Sequence, residues 1–172
     1  MLKHLMVQHL FSIFFSYTFL TTMPSIEQEI MQTKFRNERH KAIINVVYTG
    51  NWLTAQHTKF LKKFDLTEQQ FNILRILRGQ RPKPSSINLL RERMLDKMSD
   101  VSRLVERLRK QGLVERKISA KDRRAVEVVI TKEGLLVLTK IDRKAHEIDA
   151  TAATLTDEEL QILNSLLDKL RG

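Results

Sequence analysis

The residues of this chain best suited to chemistry lie close together, in SRLVERLRKQ (102–111) and SAKDRRAVEVVITKEG (119–134). Serine hydroxyls and arginine forks at helical spacing can read base edges or hold phosphates, and an arginine at a hairpin tip suits a narrow, electronegative groove. Asp122, directly before Arg123 and Arg124, is placed to restrain them. Other chemistries lack their residues. Without cysteine there is no disulfide framework, thiolate metal site or thiol redox sensor. The chain has no G-x-S-x-G, no phosphate-cradling loop and no recognisable pair of catalytic carboxylates; Glu158 and Glu159 are ordinary first-turn helix acids. The five histidines form no His-x-x-x-His pair. The expectation is therefore no enzyme, no cofactor and no metal site.

Charge narrows the partner. Lys and Arg number 30 against 20 Asp and Glu, a net +10. Residues 81–132 hold 15 basic and 7 acidic side chains, whereas 133–172 hold 5 and 8. The field belongs to the segment with the serines and arginines, and it implies a polyanion, either nucleic acid or an anionic membrane surface.

The elements that must position these residues follow from periodicity and capping. Ile26, Ile30, Phe35, Ile43, Val46 and Val47 predict one amphipathic helix from about 25 to 48, broken at Gly50 and Asn51. Trp52, Leu53, Phe60, Leu61 and Phe64 mark a second, ending near Asp65. Thr67 and Gln70 form a capping box for LTEQQFNILRIL, and GQRPKP (79–84) breaks it. SSINLLRERM makes a short helix capped by Ser85 or Ser86. After a turn at Leu95 and Asp96, a further helix runs from Lys97 to about Gln111, with Gly112 at its C-terminal end. Val101, Leu104, Val105 and Leu108 are its buried stripe; Ser99, Arg103, Glu106 and Lys110, flanked by Ser102 and Arg107, face outward. LVERKI (113–118) and AVEVVIT (125–131) read as strands around a basic loop. A helix-turn-helix followed at once by such a hairpin is a winged helix, here about 67–132. A long helix to about residue 155 and a last one capped by Thr156 carry apolar stripes that either form a dimer interface or pack onto their own domain.

Residues 1–22 are an apolar leader, with LFSIFFSYTFL (10–20) behind a single lysine, Lys3. No small-x-small cleavage site follows, and the run is short and interrupted for a membrane span. Our reading starts the functional chain near Met23 and expects one domain over 25–172, cytoplasmic and without a membrane partner.

GLVERKISAKDRRAVEVVITKEG, preceded by SRLVERLRKQ, resembles the wing and recognition helix of the MarR family of winged-helix transcriptional regulators: G-L-V-x-R, D-x-R, an alternating strand, then [LI]-T-x-x-G. The likeness covers about residues 86–134, with helical flanks in agreement from 25 to 172. It implies a mainly α fold with a small β-hairpin wing (α+β), and a homodimer interlocked by helices about 25–48 and 132–171. It also implies a ligand-responsive repressor that reads a pseudo-palindromic operator in double-stranded DNA. Lys97, Ser99, Ser102, Arg103 and Arg107 would belong to the recognition helix. Arg124 would enter the minor groove, Arg123 would meet phosphate or solvent, and Asp122 would brace the wing. Arg116 would contact phosphate or support the wing. Family members sense small aromatic or lipophilic effectors; here Trp52, His57, Phe60 and Phe64 would lie near such a cleft or pack in the core. The alternative is a winged-helix protein-interaction module, which would show apolar anchors on the outward face.

Overall fold

The computed structural model describes residues 23–118 and 126–172. The leader and the hairpin tip with Asp122, Arg123 and Arg124 lie outside them. The described residues divide into two compact units, one up to residue 50 and one over 51–172.

In the first unit Ser25 and Gln28 form a capping box for α1 (Ile26–Glu29). The backbone then turns through Met31, whose φ is +53°. Asn37 accepts the His40 N–H at 2.9 Å and opens α2 (Glu38–Leu61). Lys41 pairs with Glu27 at 2.6 Å, and the Tyr48 hydroxyl donates to Glu29. This corrects the expected helix over 25–48 at both ends. Asn37 is a second N-cap that splits it, and Gly50 does not stop it. A glycine inside a helix costs only about 1 kcal/mol, and propagation from an established helix outweighs that.

In the second unit α2 buries Phe60 and Leu61 and closes through a 3-10 turn onto Asp65, in the left-handed region. Thr67 and Gln70 cap α3 (Glu68–Gln80) reciprocally, and Ile73, Leu74 and Leu77 form its buried side. Gln70, itself buried, donates to the Gln111 side chain at 3.2 Å, so the start of α3 is tied to the end of a later helix. Ser85 and Ser86 form a short strand, β1, and Ser86 caps α4 (Ile87–Arg93). Asp100 caps α5 (Val101–Lys110) by accepting the Arg103 N–H. Gly112 at φ +74° turns the chain into β2 (Val114–Ile118), which pairs antiparallel with β3 (Val126–Ile130) from Val114↔Ile130 to Ile118↔Val126. The strand order is β1-β3-β2. The edge strand β1 was not expected: two serines carry no strand signal, and the pairing of Ser85 with Val128 is long-range.

Thr131 caps α6 (Lys132–Asp142). The expected single helix to 155 is instead α6, a turn, α7 (His146–Asp149) and a 3-10 turn. Lys144 and Ala145 bond three residues back, to Ile141 and Asp142, which tightens and ends the α pattern. Thr156 and Glu159 box-cap α8 (Asp157–Arg171), none of whose residues is buried. The core gathers Leu74, Leu90, Val105, Leu108, Val128 and Leu138, so α3 to α6 and the sheet share one interior.

Candidate nucleic-acid interface

The connection from α4 to α5 is longer than the sequence suggests, because α5 begins at Val101 and not at Lys97. Lys97 and Ser99 therefore precede the helix instead of riding on it. The reason is local competition: the Asp96 carboxylate accepts the Met98 N–H at 3.0 Å and the Ser99 hydroxyl at 2.8 Å, holding these residues in a turn. Gln69 adds a longer contact at 3.4 Å. The Ser99 hydroxyl, then the Met98 N–H, then Gln69, hold the Asp96 carboxyl below its ordinary pKa. Lys97 directs its ammonium to the Glu92 carbonyl, 2.6 Å away.

From α5 itself Ser102, Arg103 and Arg107 project into solvent, with no side-chain partner among the described residues. Arg103 and Arg107 are one helical turn apart and share a face. Val101, Val105 and Leu108 bury the opposite face and fix the rotation that presents them.

Glu106 sits between helix and hairpin. It takes two hydrogen bonds from Arg109, at 2.8 and 3.0 Å, and one at 3.4 Å from Arg116 on β2. Arg109, with Arg116 behind it, lowers the Glu106 carboxyl to about 2. Arg116 thus pairs with the neighbouring helix. The brace expected at Asp122 lies outside the described residues, and the role of Glu106 escapes the sequence because its bond to Arg116 forms only once β2 is folded against α5.

The T-x-x-G motif acts as a clamp. Thr131 donates its N–H to Leu113 O and its hydroxyl to Gly112 O at 2.8 Å, and the hydroxyl accepts the Gly134 N–H. A Cβ on Gly134 would lie 2.4 Å from Leu113 O. The return of β3 is thereby locked to the start of β2.

Two adjoining clefts of about 320 and 230 Å³ share His57, Leu61, Phe71 and Arg75, and the larger reaches Leu95 and Asp96 of the turn before α5. Of the four expected effector-cleft residues, His57 lines both and Phe60 lines the smaller. Phe64 packs edge-on against Phe60 and into the core, and Trp52 is exposed; neither lines these clefts. Phe71 and Arg75, one turn apart on α3, were missed. Arg75 lies over the Phe71 ring and pairs with Asp142 at 2.9 Å, while Arg78 holds the second Asp142 oxygen. His57 faces Glu68 at 3.4 Å.

A capped helix with a free Ser/Arg face, preceded by a pinned turn and followed by an antiparallel hairpin, defines a winged helix-turn-helix, the architecture of a DNA-binding transcriptional regulator. Residues 64–125 match the MarR family. The chain is 30% identical over 129 residues to an uncharacterised HTH-type transcriptional regulator of Bacillus cereus, covering 74% of this chain and 84% of that one. It is 29% identical to the HTH-type transcriptional repressor IacR of Pseudomonas putida, covering 68% and 74%. Its fold matches that of MepR from Staphylococcus aureus, solved in complex with DNA, with a TM-score of 0.67 at 20% identity over 80% of this chain and 97% of that one. The chain belongs to the MarR family of transcriptional regulators.

Among the described residues no helix is long and apolar enough to cross a membrane.

Proposed function

We propose that the protein is a cytoplasmic repressor that binds a pseudo-palindromic operator as a homodimer and releases it on taking up a small aromatic or lipophilic effector. It acts by binding alone, with no catalytic chemistry, cofactor or metal. The observation that carries the reading is the exposed Ser102, Arg103 and Arg107 on α5, without a side-chain partner among the described residues, beside the β2–β3 hairpin. In a major groove these side chains contact base edges or phosphates, and Lys97 and Ser99 flank them from the turn. At the hairpin tip Arg124 enters the minor groove, Arg123 contacts backbone phosphate and Asp122 restrains them. Arg116 supports the wing through Glu106. The repressor sign is that of IacR.

Two further features support the reading. Along α8, Ile162, Leu163, Leu166 and Leu170 are 41–59% exposed within a single chain, an apolar stripe that a second copy would cover. The effector site becomes the cleft lined by His57, Phe71 and Arg75, where Leu61, Phe71, Met94 and Leu95 offer apolar contact and His57 and Arg75 polar handles. There Arg75 links α3 to Asp142 at the end of α6, so a ligand that competes for it alters how these helices are joined.

A footprint of the native protein, with affinity measured across salt concentrations, tests the proposal. Protection of two half-sites about 34 Å apart is expected, with log affinity falling linearly against log salt. A flat salt response would favour a protein-interaction module instead.

A further inference from the structure

The turn between α4 and α5 spends its polar groups on its own chain. Leu95 N–H donates to Asn72 Oδ1 at 2.9 Å, Lys97 Nζ to the Glu92 carbonyl, and Asp96 gathers the Met98 N–H and the Ser99 hydroxyl. What the turn presents outward is apolar. Met98 is 93% exposed and Leu95 87%. Leu95 lines the larger cleft, which leaves Met98 as the bare side chain at the foot of α5.

One exposed methionine is ordinary on a protein surface. This one is different in its setting. Its backbone is held by Asp96, it stands two residues before the N-cap Asp100, and the helix that follows carries the exposed cations Arg103 and Arg107. The segment that holds it, residues 81–132, carries 15 basic and 7 acidic side chains, a field complementary to DNA. Residues at the N-terminal end of a recognition helix meet base edges, and the apolar feature of the major groove is the thymine 5-methyl group. An unbranched thioether is polarisable and adapts its shape to such a contact.

Resting on the DNA-binding reading above, we infer that Met98 is a specificity-determining residue that recognises thymine in each half-site by packing against its 5-methyl group. Lys97 and Ser99, whose side chains are bonded to the Glu92 carbonyl and the Asp96 carboxylate, serve to hold that side chain in place.

The test uses the full chain and its footprinted operator, with thymines replaced one at a time by deoxyuridine, which removes only the methyl. Affinity is measured at fixed salt for wild type, Met98→Ala and Met98→Leu. At one or more thymines per half-site, deoxyuridine should weaken wild-type binding about fourfold, the equivalent of one buried methyl-sized group. Met98→Ala should bind less tightly and lose that discrimination, and Met98→Leu should keep it. Unchanged thermal melting is expected, since the side chain is exposed. Wild-type indifference to every substitution, or an undiminished penalty in Met98→Ala, overturns the inference while leaving operator binding intact. Absence of any operator protection by the wild type overturns the DNA-binding reading and this inference with it.

Discussion

Replacing Gly134 by alanine adds a single methyl group, and the structure places that methyl 2.4 Å from the Leu113 carbonyl oxygen and 2.7 Å from Ile130 Cγ1. Comfortable contact needs about 3.5 Å, so the start of α6 must move by about 1 Å relative to both strands of the hairpin. The nearest atom is backbone that already accepts the Thr131 N–H at 3.1 Å, and it cannot rotate away as a side chain would. Overpacking of this kind costs about 1–3 kcal/mol, and the rigid neighbour puts Gly134 at the upper end. Alanine returns about 1 kcal/mol of helix propensity, which leaves a net loss of about 2 kcal/mol. Urea unfolding at fixed protein concentration should show the midpoint falling by about 1 M with an unchanged slope. Gly79→Ala is the control, since nothing lies within 4 Å of its Cβ and the residue is in α3. It should gain about 0.5–1 kcal/mol. A Gly134→Ala protein as stable as wild type, alongside a stabilised Gly79→Ala, would refute the clamp.

Arg107→Ala should weaken operator binding and reduce the slope of log affinity against log salt by about 0.9 if its partner is one phosphate; an unchanged slope and affinity would remove it from the interface. Arg124→Ala should lose operator affinity with melting and dimerisation intact, and a full-strength complex at physiological salt would exclude the wing. Glu106 titrates at about 2 in the folded chain, below its ordinary value. Its contribution is therefore complete above the unfolded pKa of about 4.3 and lost as pH falls towards 2. Urea midpoints at pH 6 and pH 3 should thus diverge less in Glu106→Gln than in wild type. Thr67→Ala removes the N-cap of α3 and should cost about 1 kcal/mol in the same assay, with no loss meaning that the box is dispensable.

Much of the winged helix was legible residue by residue. Thr67 with Gln70, Ser86 and Thr156 each cap the helix their spacing announces. Gly112 ends α5 in the left-handed region as expected, and both hairpin strands fall within a residue of their predicted limits. The apolar stripe of α5 correctly fixed which face Arg103 and Arg107 share. The misreadings were also local. Gly50 carries a break signal that a long helix absorbs, Asn37 caps a helix within what periodicity presents as one run, and Asp96 delays a helix whose pattern starts at Lys97.

By itself, then, the sequence determined the capped starts of α3, α4 and α8, the hairpin and the charged outward face, because capping and periodicity act within a few residues of chain. Only the tertiary structure decided that Glu106 holds Arg116, that Asp142 gathers Arg75 and Arg78, that two serines join the sheet, and that Met98 is left bare beside the basic face. Those outcomes depend on which distant segments meet, or on which polar groups are used up when they do, and neither is written in any local pattern.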